Sequence, residues 1–298
     1  MAGQIILPVL LLGIISKFFK IKFSSLPFMT SIDRFFSFFP GTLYPIGGTT
    51  SARSLDGSSP RIALLRPFVY FGHTYNQIYV NHNGDLTFNA PWYSYIPQRF
   101  PMYGSRDIIA PFWTDIDIRR NGQINYTQYT NGTVLQQATQ DINTYFPELN
   151  FTATLVFVAT WYQVPYFPYS GTQTTFQAVL ISDGRYSFVL MNYGIIARPT
   201  HRVEAGYDTI NSTHHLSIPG TYLAQLLNRT AYLSNVNVPG RFAFRVDNGS
   251  RVTVPVLRSA PAPQQACSVT TSSAPSHKSA GQLPFSFPAR QCRDAPAP

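Results

Sequence analysis

Asp115 and Asp117 stand two residues apart in the run Ile109–Asp117. Side chains at that spacing on a strand project from one face, with Trp113 beside them. Two carboxylates so placed could hold calcium or share acid and base roles in hydrolysis. Both uses fall short. Calcium takes about six to eight oxygens, no Asp-x-Asp-x-Asp-Gly loop follows, and Arg119 is near enough to pair with one carboxylate. His73, His82, His201, His214 and His215 raise the question of a transition metal. Adjacent strand side chains point to opposite faces, so His214 and His215 do not chelate together, and their place beside Asn211 suits a solvated turn. The chain has no CxxC, no Cys/His cluster, no Gly-x-Ser-x-Gly and no phosphate-cradling glycine loop. The expectation is a protein with no catalytic residues, cofactor or metal, Asp115 and Asp117 being weak calcium candidates.

Covalent modification has stronger support. Asn-x-Ser/Thr occurs at Asn125, Asn131, Asn150, Asn211, Asn228 and Asn248, six of the fifteen asparagines, where roughly two or three are expected by chance. That excess points to the secretory route. In Gly122–Thr130 the alternation puts Ile124 and Tyr126 on one face and Gln123, Asn125 and Thr127 on the other, so Asn125 is expected on the polar side. At the N-terminus, Ile5–Ile15 is an apolar run followed by Lys17, Lys20 and Lys22. Eleven residues reach about half way across a bilayer as a helix, which fits a signal-peptide core in residues 1–25 better than a membrane span. No Lys or Arg precedes the run, and no clean small-x-small cleavage site appears before Ser24-Ser25. Cys267 and Cys292, the only cysteines, could form a disulfide in that compartment but leave the preceding 266 residues without one.

The net charge of +9 invites a nucleic-acid reading, and its distribution removes it. Residues 1–42 carry +3, residues 248–298 carry +4, and residues 43–247 only +2. Within that middle segment only Arg119-Arg120 are adjacent basic residues, so no stripe tracks a phosphate backbone.

These residues need elements to hold them. Charged residues are only 12% and aromatics 15% of the chain, a balance that favours half-buried strands over solvated helices. Strands are predicted at Ile62–Arg66, Gln77–Asn81, Leu86–Phe88, Asp107–Ile118, Gly122–Thr130, Phe151–Val164, Thr174–Ser182, Arg185–Tyr193, Arg202–Tyr207 and Arg241–Val246. Asp183-Gly184 reads as a two-residue type I′ hairpin loop, and Asn83-Gly84 as another tight turn. Thr133-Val134-Leu135-Gln136 is a capping box ahead of Leu135, Ala138, Ile142 and Phe146 at helical spacing. A shorter helix is expected over Thr221–Asn228. The fold class is thus mainly β, with packed antiparallel or mixed sheets and one or two short helices. Residues 255–298, rich in Pro, Ser, Ala and Gln, bury too little apolar surface to offset ordering entropy and read as a disordered tail or linker. The aromatics Tyr93, Tyr95, Tyr103, Tyr166, Phe167 and Tyr169 lie in Pro- and Gly-containing loops, either as a recognition surface or as caps on the open ends of the core.

The order of motifs resembles a known family. Leu43-Tyr44-Pro45 comes first, followed by Phe71-Gly72-His73-Thr74-Tyr75 and Ile78-Tyr79-Val80-Asn81-His82-Asn83-Gly84. Phe100-Pro101 and Ile109-Ala110-Pro111-Phe112-Trp113-Thr114-Asp115-Ile116-Asp117 come next. Trp161, Val164-Pro165-Tyr166, Thr175-Phe176-Gln177, Asn192-Tyr193, Ala205-Gly206-Tyr207 and Ser234–Phe242 then complete the order of the nidogen-type extracellular (NIDO) domain across residues 43–247. Among its members the wording is similar to alpha-tectorin-like proteins. The resemblance implies a secreted, non-catalytic module of cell-matrix adhesion or matrix assembly. Its implied partners are matrix or cell-surface glycoproteins, with neither nucleic acid nor an integral membrane span. The chain departs from the family in lacking the Cys-rich modules that usually follow the domain. The alternative is a glycan-binding or carbohydrate-active hydrolytic domain using Asp115 and Asp117.

Overall fold

The computed structural model describes residues 43–168, 171–222 and 233–248. The leader at 1–25, the expected helix beyond Tyr222, Tyr169, Asn228, the tail from 255, Cys267 and Cys292 lie outside them. In chain order the elements are β1 (Thr49–Thr50), β2 (Ile62–Tyr70), β3 (His73–Asn81), β4 (Asp85–Thr87), β5 (Ile108–Trp113), β6 (Gln123–Tyr129), α1 (Thr133–Tyr145), β7 (Leu155–Val164), β8 (Thr174–Ser182), β9 (Ser187–Tyr193), β10 (Glu204–Asp208), β11 (His215–Ser217) and β12 (Arg241–Arg245). They form two six-stranded antiparallel sheets, ordered β1-β6-β7-β8-β9-β12 and β11-β10-β5-β4-β3-β2.

Period-two alternation decides what meets between the sheets. Phe157, Trp161, Phe176 and Leu180 from the first sheet face Phe68, Val80, Leu86 and Phe112 from the second, all fully buried. Each large ring takes about 150–250 Å² out of water, on the order of 4–6 kcal/mol of transfer free energy as an upper bound. The Asn83-Gly84 turn is where expected. Gly84 has φ +92°, and a Cβ there would stand 2.0 Å from the Phe112 carbonyl oxygen, so only glycine fits.

The other face of the first sheet carries α1, whose Val134, Leu135, Ala138 and Ile142 pack on Val156, Val158, Val179, Ile181 and Leu190. Beside this apolar patch a polar row crosses all six strands in register: Thr50 at the exposed edge, then the buried Asn125, Thr160, Gln177, Asn192 and Arg241. Arg241 Nε donates to Asn192 Oδ1 at 2.8 Å, and its Nη1 to Asp141 Oδ2 of α1 at 2.8 Å. Gln177 exchanges two 2.9 Å hydrogen bonds with the backbone of Tyr44, tying the segment before β1 to the centre of the sheet. A one-residue slip would carry this row into the apolar core, so it fixes the register.

Local readings differ from the fold at four points. The capping box does not form: Gly132 is the N-cap at φ +88° with no side-chain cap, because the helix already includes Thr133. Asp183 N donates to Tyr186 O at 3.2 Å, so the central pair is Gly184-Arg185. Positive φ falls on Gly184 and not Arg185, as a type II′ turn requires. The Asp107–Ile118 strand stops at Trp113, its last partner on β10 being Glu204; the chain then bends at Thr114, and Ile116 and Asp117 make only isolated bridges with Tyr166 and Leu55. The short edge strands β1 and β11 have too few residues for a periodic signal.

Candidate interaction surface

Residues 88–107 join β4 to β5 without regular structure. They lie as a strap across the outer face of the second sheet, where Phe100 packs with Ile108, Ala110 and Trp113, flanked by Trp92 and Met102. The sheet holds the strap by polar groups. Trp92 N donates to Asn81 Oδ1 at 2.9 Å, Met102 N to Asp208 Oδ2 at 2.8 Å, and Trp113 Nε1 to Ser94 O at 2.8 Å. The Arg106 guanidinium lies 3.4 Å from the centre of the Trp92 ring, a close cation–π contact.

With its inner side pinned, the strap turns its other aromatics outward. Tyr93 is 56% exposed, Tyr95 47%, Ile96 58% and Tyr103 73%. The sequence-level choice between recognition surface and core cap therefore divides. Tyr93, Tyr95 and Tyr103 are surface, whereas Tyr166 is buried in the core with its hydroxyl donated to Ala197 O at 2.8 Å, and Phe167 is half-buried.

Beneath the strap lie carboxyls that sequence reading passed over. Asp85 receives Asn81 Nδ2 at 2.6 Å on one oxygen and has no hydrogen-bond partner on the other. Glu204 accepts a short hydrogen bond from Ser217 Oγ, and its Oε2 likewise has no partner. Burial pushes Asp85 up to about 7, against the pull of Asn81 and Arg106. It also pushes Glu204 up to about 7, against Ser217, the Phe100 backbone and Arg99. The signal was present in Asp85-Leu86-Thr87 and Glu204-Ala205-Gly206-Tyr207-Asp208, where acids alternate with apolar residues on strands whose polar face is also covered.

Asp115 and Asp117 do not share a strand face, because both lie past the end of β5. Asp117 is held by Arg119, Nε to Oδ1 at 2.9 Å and Nη2 to Oδ2 at 2.8 Å, which keeps its carboxyl below the usual range. The expected Arg119 pairing is therefore present. Asp115 is pushed up to about 6, by burial first and then by the neighbouring Asp56 charge. With both oxygens of Asp117 engaged, the pair is poorly set to bind calcium or move protons. Among the described residues no three His, Cys, Asp or Glu side chains converge for a metal ion. The histidines are dispersed. His73 meets Asp107 at 3.1 Å, His82 is buried between the Ser51 and Ser54 hydroxyls, His214 stacks on Phe71 and His215 contacts Ser212 O.

The sequons also divide. Asn131, Asn150, Asn211 and Asn248 are exposed. Asn125 is on the polar side, opposite Ile124, as expected, but that side is closed to solvent there: it is 6% exposed and its Nδ2 donates to Thr50 Oγ1 at 2.8 Å, since β1 pairs alongside β6. No helix among the described residues is long and apolar enough to cross a membrane.

Residues 76–248 match the family described as Nidogen-like domain (NIDO). The chain is 38% identical over 224 residues to alpha-tectorin of Mus musculus and of Homo sapiens, an alignment covering 69% of this chain and 10% of each relative. It is 30% identical over 257 residues to nidogen-2 of Mus musculus, covering 74% of this chain and 18% of that protein. The chain thus spans about a tenth of the length of the alpha-tectorins. No solved structure matches it.

Proposed function

This chain belongs to the nidogen-like domain family, and on that premise we propose that it is a secreted, non-catalytic interaction module acting in cell-matrix adhesion or matrix assembly. The observation that carries the reading is the strap, where an irregular segment pinned to a sheet presents Tyr93, Tyr95 and Ile96 to solvent. Tyr brings contact area at small entropic cost, and a pinned backbone has already lost the freedom that binding would otherwise remove. The exposed sequons and the matched tectorin and nidogen sequences support an extracellular setting. The proposed partners are matrix or cell-surface glycoproteins.

The test is binding of the secreted full chain to matrix laid down by cultured cells and to the cells themselves. A Tyr93→Ala/Tyr95→Ala/Ile96→Ala variant is expected to bind about tenfold more weakly or worse with an unaltered melting temperature. A wild-type chain that binds neither surface better than this variant would sink the reading. Turnover on a glycan panel, lost in Asp117→Asn, would instead establish the hydrolytic alternative.

A further inference from the structure

Two distant segments are locked together at the far end of the strap. Asn211 N donates to Gly104 O at 2.8 Å, and Tyr103 N donates to Ser212 Oγ at 2.7 Å. Beneath them Oδ2 of the buried Asp208 accepts from Met102 N at 2.8 Å and from Ser212 Oγ at 2.9 Å, so one oxygen fixes both segments. Tyr103, Asn211 and Ser212 all have φ between 53° and 54°. Three left-handed non-glycine residues at one junction are a costly arrangement kept by surrounding contacts. Asn211, acceptor of the Asn211-Ser212-Thr213 sequon, and the 73% exposed Tyr103 are thus both open to solvent on two segments that these hydrogen bonds hold next to each other.

An N-acetylglucosamine ring has an apolar face of C–H groups, and a tyrosine ring has an apolar body that gains by being covered. We infer that the N-glycan on Asn211 packs on Tyr103, so that this end of the strap is covered by the chain's own carbohydrate. The protein partner is then left Tyr93, Tyr95 and Ile96. The inference rests on the secreted reading. It also accounts for Tyr103 being the most exposed large hydrophobic residue among those described.

The experiment uses full-length chain secreted from cultured animal cells, with glycopeptide mapping and a double-mutant cycle. Asn211 is expected to be occupied along with Asn131 and Asn150. Tyr103→Ala is expected to lower the melting temperature by about 2–4 °C in the glycosylated protein and by less than about 1 °C in the Thr213→Ala background, which lacks the sequon. Strain at Tyr103 is common to both arms and cancels. Should a variant fail to be secreted, a nuclear Overhauser contact between the Tyr103 ring and the first sugar reads the packing in wild type. If no sequon is occupied, the secreted reading falls and this inference with it. Three results overturn the inference alone: Asn211 empty while Asn131 and Asn150 are filled, equal shifts in both backgrounds, or no ring-to-sugar contact.

Discussion

Asn125 illustrates how little a motif says about one residue until its neighbours are known. Its sequon is intact, and its place in β6 alternates with Ile124 as a surface residue's would. Yet its amide nitrogen is donated to Thr50 and its Oδ1 is buried without a partner. A glycan there would have to displace β1, because the acceptor nitrogen and the Thr50 hydroxyl occupy the same contact. Peptide mapping of the secreted, folded chain is expected to find Asn125 unmodified and Asn131, six residues on, modified. Occupancy at Asn125 in chain that melts cooperatively would mean that β1 does not seat as described. Burial here is a property of the pair, since the two residues are 75 apart in sequence.

At the scale of elements, the strap over β4 and β10 carries a pH dependence whose sign follows from burial. Asp85 and Glu204 are each pushed up to about 7, from ordinary values of 3.8 and 4.5. The folded chain therefore keeps both protons at pH values where the unfolded chain has lost them. Their contribution is complete below the ordinary values and is lost as pH rises through about 7. The facing groups are Asn81 and Arg106 around Asp85, and Ser217, Arg99 and Asp208 around Glu204. His82, held neutral by burial between two serines, has the opposite sign: its contribution is lost as pH falls below 6.5. Comparison with an Asp85→Asn/Glu204→Gln chain isolates the carboxyls. Denaturant titrations at about pH 5 and about pH 8 are expected to show wild type losing on the order of 1–3 kcal/mol more than the double amide variant. Equal losses would mean that both acids are ionised beneath the strap.

Over the whole molecule, the segment before β2 acts as a tie between the sheets. Tyr44 sits against Gln177, donates its hydroxyl to Asp141 Oδ2 at 2.8 Å, and lies under Arg241 on the first sheet. Ser51 then reaches His82 at 2.8 Å, and Ser58 donates to Asn81 Oδ1 at 2.9 Å, both on the second sheet's side. A chain beginning at Ile62 leaves Gln177 and Asn81 short of buried partners and exposes the edge of β6. It is expected to melt more than about 10 °C lower, or not to melt cooperatively. Removing residues 255–298, or reducing the protein, is expected to change the melting temperature by less than about 1 °C, since a segment of that composition contributes little to a folded core. A drop of several degrees from either treatment would assign those residues a part in the fold.

Sequence determined what depends on near neighbours. The Thr, Val and aromatic content of Phe151–Val164 and the turn-bounded run Thr174–Ser182 gave the central strands, the Asn-Gly and Asp-Gly pairs located two turns, and the order of motifs identified the family. Helical spacing likewise located α1. What it left open depends on which distant segment covers a given face. Asn125 on the polar face of β6 is closed off because Thr50 of β1 pairs beside it. Asp85 and Glu204 hold their protons to higher pH than ordinary carboxyls because a strap covers a strand face that alternation alone would leave wet. Asp115 and Asp117 lose their common face because the chain bends out of β5 at Thr114, before them. Alternation fixes which way a side chain points within one strand, but coverage requires contacts far apart in the chain, and only the folded structure supplies those.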